Sequence, residues 1–187
     1  MLVLLSGVSG AGKDTLKNII VSENENYTKM PALTTRNKRV NEKDGDPYFF
    51  LTTEEFEDKI KNNELYEYSK HHDNYYGTSK KILEDTISQG KVIIKDMDVN
   101  GTENLKKILK DNVKVITVFL KVEKEELRKR LDNREDKLSK EEIELRLSRF
   151  EYEESKIGVY DYVIKNDNLT RTKIILENII KLEINEP

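Results

Sequence analysis

The sequence predicts an α/β fold built on a parallel sheet, and three observations carry that expectation. Short apolar runs recur at residues 2–5, 92–94, 113–120 and 162–164. The segments between them are charged, with leucine and isoleucine at helical spacing, the alternation that strand, crossover helix and next parallel strand require. A glycine-rich turn, GVSGAGK at residues 7–13, joins the first run to the helix-like DTLKNII. With 187 residues, the chain can bury one full core, so a single domain with small inserted subdomains is expected.

Taken in order, the first run is four consecutive apolar residues, the pattern of a strand covered on both faces. No basic residue precedes it, so it does not read as a secretory leader. The turn that follows fits G-x-x-x-x-G-K, in which glycines let successive backbone N–H groups curl around phosphate oxygens and the helix N-terminus adds its positive end. Ser9, Gly10, Ala11, Gly12, Lys13, Asp14 and Thr15 are the nucleotide-binding candidates. Lys13 is expected to reach the β- and γ-phosphates, and Thr15 to offer a hydroxyl to the α-phosphate.

Asp14 stands where a Ser or Thr hydroxyl usually meets Mg²⁺. One reading is structural, since an acidic side chain in a helix's first turn gains roughly 0.3–1 kcal/mol from the macrodipole. The other is that the carboxylate holds Mg²⁺ directly or through its water shell. The metal reading is favoured, because a bare carboxylate beside a triphosphate would be repelled.

Between residues 34 and 78 the composition changes: PYFF, LYEY and NYYG gather aromatics among Gly, Pro, Asn and Asp, which predicts short strands and turns in an inserted subdomain. The run at 92–94 is the next core strand, with Asp96 at its end. A second insertion is expected within residues 123–154, where charge is dense. There Ser139 and Glu142 form a capping box, and Ile143, Leu147 and Phe150 follow at helical spacing. Arg146, Arg149 and Glu153 are expected on a neighbouring face of that helix.

A net charge of −3 with 37% charged residues predicts a surface of mixed sign, which disfavours nucleic-acid partners. The chain has no cysteine, which excludes disulfides and thiolate chemistry. No run reaches the length of a membrane span, so the expected setting is cytoplasmic, as a monomer or homodimer. His71 and His72 are the two histidines and read as surface residues.

A second set of blocks narrows the function. TTRNKRVNEKDGDPYFF at 34–50 sets Arg36, Arg39 and Glu42 three apart, with Tyr48 after a glycine turn. ELYEYSKHHDNYYGTS at 64–79 places Glu67 ahead of Tyr76 and Thr78, and DMDVNG and YDYVIKND follow at 96–101 and 160–167. With the phosphate loop, these blocks make the chain resemble guanylate kinase over residues 2 to about 169. The resemblance implies a P-loop nucleoside-monophosphate-kinase fold: a three-layer core with a five-stranded parallel sheet, a GMP-binding insertion at 34–78 and a lid at 126–154. The core would then comprise 1–33, 79–125 and 155–187.

By that resemblance, the chain phosphorylates GMP, and dGMP as well, by in-line transfer from ATP with Mg²⁺. Arg36, Arg39, Tyr48 and Tyr76 hold the GMP phosphate, and Glu67 and Thr78 read guanine. Glu42 acts through the arginines, and Asp98 sits on the guanine or ribose side. Lys13, Arg36, Arg134 and Arg146 are the catalytic candidates, Arg130 and Arg149 further lid arginines, and Asp96 a water-mediated metal partner or ion-pair anchor. The chemistry agrees, since a guanidinium fork suits a dianionic phosphate and a carboxylate accepts from N1–H and the exocyclic amine together. Ala32 departs from the family's usual serine. The alternatives are a ribose 1,5-bisphosphate phosphokinase and an inactive phosphopeptide-binding module; the first needs no guanine-reading pair, and the second tends to lose the loop lysine.

Overall fold

The computed structural model describes residues 1–40, 42–71, 73–133 and 138–185. Strand β1 (Leu2–Ser6) runs through the glycine loop into α1 (Lys13–Glu23), followed by β2 (Tyr27–Lys29). Next come β3 (Ala32–Thr34), β4 (Lys43–Asp44), β5 (Pro47–Phe50), α2 (Thr53–Lys61), β6 (Leu65–His71) and β7 (Asn74–Ser79). The chain continues through α3 (Lys80–Ile87), β8 (Val92–Asp96), α4 (Val99–Leu109) and β9 (Val115–Lys121). It ends with α5 (Lys124–Asp132), α6 (Lys140–Ser148), α7 (Phe150–Ser155), β10 (Tyr162–Lys165) and α8 (Leu169–Asn185).

The expected α/β core with a five-stranded parallel sheet is present, in the order β10-β9-β1-β8-β2. The unbroken apolar run of β1 is explained by its two covered faces. Val3 and Leu5 pack with Leu16 and Ile20 of α1, Leu127 and Leu131 of α5, and Leu176 and Ile180 of α8. Leu2 and Leu4 face the other way, into Leu83 of α3 and Leu105 and Leu109 of α4. Side chains that alternate between two buried layers favour apolar residues at every position of Leu2–Leu5.

Strand β2 has no apolar run of its own. Its YTK pairs in parallel with β8, Tyr27 beside Val92 and Lys29 beside Ile94, but at the sheet edge one buried residue, Tyr27, is enough. The strand order reverses at β1 and β8: the chain leaves β1 toward one edge and leaves β8 toward the other. A doubly wound sheet opens its crevice at the carboxyl ends of such a pair, and there the glycine loop and Asp96 lie.

The aromatic segment forms a second, mixed sheet in the order β4-β5-β3-β7-β6. Its small core is Leu33, Phe56 and Leu65, joined by Phe49, Leu51, Ile60 and Tyr75. Helix α2 enters through a capping box in which Thr52 accepts from the Glu55 N–H and Glu55 accepts from the Thr52 N–H.

The expected cap on α6 is likewise present: Ser139 Oγ accepts from the Glu142 N–H at 3.2 Å and a Glu142 carboxylate oxygen accepts from the Ser139 N–H at 2.8 Å. Continuation of that helix through Glu153 is corrected. The helix stops at Ser148, because Arg149 takes φ −85° and ψ −11°, near the sparsely allowed bridge region, and Phe150 opens a separate helix. Ile143, Leu147 and Phe150 still reach the main core together.

Candidate active site

The phosphate loop is held in shape by glycine and by one asparagine. Gly10 and Gly12 take φ of +96° and +90°, a left-handed conformation that side chains other than glycine's rarely adopt. Asn166 Nδ2 donates to the Ala11 carbonyl at 2.6 Å, and Asn166 Oδ1 accepts from the Thr172 hydroxyl at 2.9 Å. A Cβ at Gly12 would meet Asn166 Nδ2 at 2.9 Å. Helix α1 therefore starts at Lys13 with no side-chain cap, and the free N–H groups of its first turn remain available to an anion.

Lys13 Nζ bends back onto the loop, donating to the carbonyls of Gly7 at 2.6 Å and Val8 at 3.2 Å. Burial holds its ammonium below the usual lysine range, against the pull of Asp96, Glu153, Asp14 and Asp98. Lys17 lies one helical turn further on and is only 4% exposed. Its ammonium donates to Asp14 Oδ1 at 3.0 Å and to Asp96 Oδ1. Burial alone would depress Lys17, but the two carboxylates outweigh it and its pKa is raised. Burial would likewise raise Asp96, and Lys17, Lys95 and Lys13 together hold it low.

Asp14 itself is largely exposed, its side chain 70% accessible. Two carboxylates gathered on one cation are oxygen-only donors. They fit an Mg²⁺ ion that takes one or two protein carboxylates and completes its shell from phosphate oxygens and water. Among the described residues no cluster of three metal-ligating side chains exists, so a metal bound here would have to share its coordination with the nucleotide.

The second sheet supplies the opposite wall of a cleft of about 320 Å³. Arg36 forks Glu42, with Nη1 to Oε2 at 3.0 Å and Nη2 to Oε1 at 2.8 Å, and Glu42 Oε2 also accepts from the Arg39 N–H at 2.8 Å. Glu42 thereby fixes Arg36 and the turn carrying Arg39. The Arg36 guanidinium lies 5.3 Å from the centre of the Tyr48 ring, and the Tyr48 and Tyr76 rings meet edge to face at 5.9 Å. Burial pushes the Tyr48 phenol well above its ordinary value, so at neutral pH it is a hydrogen-bond donor.

Deeper in, Thr78 is fully buried and its hydroxyl donates to Glu67 Oε1 at 2.5 Å. Asp98 caps α4, Oδ1 accepting from the Asn100 and Gly101 N–H groups at 2.9 and 3.1 Å. Its Oδ2 accepts from the Ser69 hydroxyl at 3.4 Å. Ala32, Lys95 and Met97 line the same space. On the far side, Arg146 Nη1 donates to Ser9 Oγ of the phosphate loop at 2.5 Å, and Arg149 lines the cleft beside Glu153, its Nε 3.6 Å from Oε1.

The sequence and the fold are also those of a known protein family. The family model described as guanylate kinase matches residues 1–183. The chain belongs to the guanylate kinase family. The guanylate kinase of Chlorobaculum tepidum is 40% identical over 91% of this chain and 87% of its own length. That of Bacteroides thetaiotaomicron is 37% identical over 99% and 90%. The crystal structure of guanylate kinase from Anaplasma phagocytophilum superposes with a TM-score of 0.79 at 29% identity, covering all of this chain and 87% of that one.

Within this guanylate kinase framework, about half of the sequence-predicted residues line the cleft, among them Ser9, Lys13, Glu67 and Arg146, while Asp14, Thr15, Arg36, Glu42 and Thr78 do not. Arg130 does not face it through its guanidinium: Nε donates to Glu126 Oε1 at 2.9 Å and Nη2 to the Asn166 carbonyl at 2.8 Å, which ties α5 to the residue just past β10 that locks the loop. Arg134 and His72 lie outside the described residues, as does the side chain of His71. Sequence reasoning passed over Lys17, Lys95 and Asn166. The first carried a signal in its i,i+3 spacing from Asp14, and the second in a lysine closing the buried run VIIK.

Proposed function

We propose that the cleft binds ATP along the phosphate loop and GMP against the second sheet, and that it moves the γ-phosphoryl of ATP onto the GMP phosphate in line, with dGMP as a second acceptor. The observation that carries this reading is the buried Glu67, bonded by the Thr78 hydroxyl behind it, which shares one cleft with Lys13. A carboxylate there accepts from guanine N1–H and N2–H. Adenine would leave it unpaired, and sites of that kind discriminate by roughly 10⁴–10⁵.

In the proposed mechanism the acceptor needs no base, because a phosphate monoester with second pKa near ~6 is already largely dianionic at neutral pH. Arg36, Arg39, Tyr48 and Tyr76 hold that phosphate, with Glu42 fixing the Arg36 fork. Lys13 and the α1 N–H groups hold the triphosphate, Thr15 adding its hydroxyl, and Arg134, Arg146 and Arg149 gather charge from the segment 126–154. Asp14 and Asp96, drawn together by Lys17, would hold Mg²⁺, which would supply charge neutralisation on the phosphoryl oxygens. The insertion 34–78 and the lid 126–154 serve to exclude water, which suppresses hydrolysis.

ADP release from ATP, measured with GMP, dGMP, AMP and ribose 1,5-bisphosphate as acceptors, tests the reading. Turnover with GMP and dGMP alone is expected; turnover confined to the ribose compound would replace it, and none with any acceptor would favour a phosphopeptide-binding module. For the metal, Asp14→Asn is expected to raise the Mg²⁺ concentration required for half-maximal rate and Asp14→Ser to restore it. An unchanged requirement in both makes Asp14 structural.

A further inference from the structure

Strand β8 ends in a lysine that the core around it does not explain. Ile93 faces the apolar cluster of Leu4, Leu83 and Leu105, and Lys95, two residues on, leaves the strand on the same face. It is 3% exposed, yet it lines the cleft together with Glu67, Met97 and Asp98. Among the described residues its ammonium has no hydrogen-bond or ion-pair partner at bonding distance. A buried ammonium is costly unless something polar meets it, and its place on the cleft wall leaves it open to a bound ligand.

The acceptor site has a matching vacancy in its donor set. Guanine presents N1–H and the exocyclic amine to Glu67, and beside N1 it presents the carbonyl oxygen O6, which needs a donor. Thr78 is the nearest candidate, but a hydroxyl has one proton, and in this structure that of Thr78 is engaged by Glu67 Oε1 at 2.5 Å. Residue 32, where the family's usual serine would bring a second hydroxyl, is alanine. Gly101 lets α4 close on the carboxylates from the other side, since a Cβ there would stand 3.3 Å from Glu67 Oε2. Ser69 turns its hydroxyl to Asp98 at 3.4 Å, and Lys95 is the cationic donor on the wall next to Glu67.

We propose that Lys95 is a base-reading residue of the acceptor site, its ammonium donating to guanine O6 while Glu67 accepts from N1–H and N2–H. The assignment rests on the reading of the acceptor as GMP. It gives the base one cationic donor and one anionic acceptor side by side, a pair whose charges cancel around a neutral base. Adenine reverses both requirements, offering an amine to Lys95 and a bare nitrogen to Glu67. Thr78 becomes a positioning residue for Glu67. The Coulombic pull of Glu67, first among the carboxylates acting on Lys95, counters the burial that depresses its pKa.

The probe is 6-thioguanosine 5′-monophosphate, in which weakly accepting sulfur replaces O6 while N1–H and the amine remain. Full-length enzyme is expected to favour GMP over the thio compound by about 10- to 100-fold in kcat/KM, the range for a hydrogen bond to a charged group. Lys95→Met is expected to raise the KM for GMP by about the same factor, to leave the KM for ATP within about twofold, and to bring the two acceptors to near parity. The variant puts an apolar side chain of similar length against an apolar cluster, a change that buried charges commonly tolerate. Lys95→Leu gives the same comparison should Met pack poorly.

Wild-type parity between GMP and its thio analogue, or variants that keep the wild-type GMP KM and preference, overturns the assignment while GMP turnover stands. Failure of the wild type to phosphorylate GMP at all is a different result, and overturns the acceptor reading together with it.

Discussion

Arg36 and Glu42 show how one pair of side chains would prepare the proposed phosphate site. The fork at 2.8 and 3.0 Å fixes a guanidinium beside the Tyr48 ring, a geometry that lysine does not reproduce. Burial would raise the Glu42 carboxyl, but the Arg36 fork and the Arg39 N–H outweigh it and hold its pKa below the ordinary 4.5. A depressed carboxyl contributes stability above its unfolded value and loses it as pH falls through the folded one. The stability difference between wild type and Glu42→Gln, measured by urea unfolding, is therefore expected to be constant near neutrality and to shrink as the pH falls below about 4.5. A difference that stays constant into the acid range would remove the ion pair as its cause. The spacing of arginines and glutamate was legible in the sequence. Lys17 and Lys95 were not, because burial of a charged residue depends on partners from other strands and helices that no local pattern shows.

At the scale of elements, legibility followed burial. Strands β1, β8 and β9 announced themselves because both faces are covered, and the edge strand β10 by its apolar YVI, whereas β2 did not, because an edge strand of three residues needs a single apolar side chain. The capping box of α6 was readable from Ser139 and Glu142, since its chemistry is local; the break at Arg149 was not. The contact between β10 and the loop is of the second kind. Asn166, just past β10 (Tyr162–Lys165), reaches back across the molecule to the Ala11 carbonyl at 2.6 Å and is braced by Thr172 of α8. This tie sets the loop in its anion-binding shape before any nucleotide arrives, so that ordering it is not charged against affinity. Asn166→Ala is expected to raise the KM for ATP by about 10-fold, the value of one to two buried hydrogen bonds, with the KM for GMP unchanged. Equal increases for both substrates, measured in initial-rate kinetics, would show a general loosening in place of a loop-specific tie.

For the whole molecule, two sheets with separate cores meet at one cleft. The parallel sheet places the loop at its switch point, and the mixed sheet presents Tyr48, Glu67 and Tyr76 across from it. Its own core of Leu33, Phe56 and Leu65 is distinct from the two clusters that flank β1. Separate cores imply that damage to one wall leaves the other folded. The two substrates should then stabilise the protein through different residues. A ligand at 100 times its Kd adds about 2.7 kcal/mol, enough to move the midpoint of thermal unfolding by several degrees in a chain of this size. GMP is expected to raise the midpoint of Lys13→Met as it does that of the wild type, while a non-hydrolysable ATP analogue does not. Glu67→Ala should show the reverse, responding to the analogue and not to GMP. A variant that loses both responses would mean that the walls do not bind independently, and the division of the cleft into a loop side and a sheet side would fail with it. Both responses retained in Glu67→Ala would instead keep the cleft and remove Glu67 from base recognition, since the base would then be held without the carboxylate that Thr78 positions.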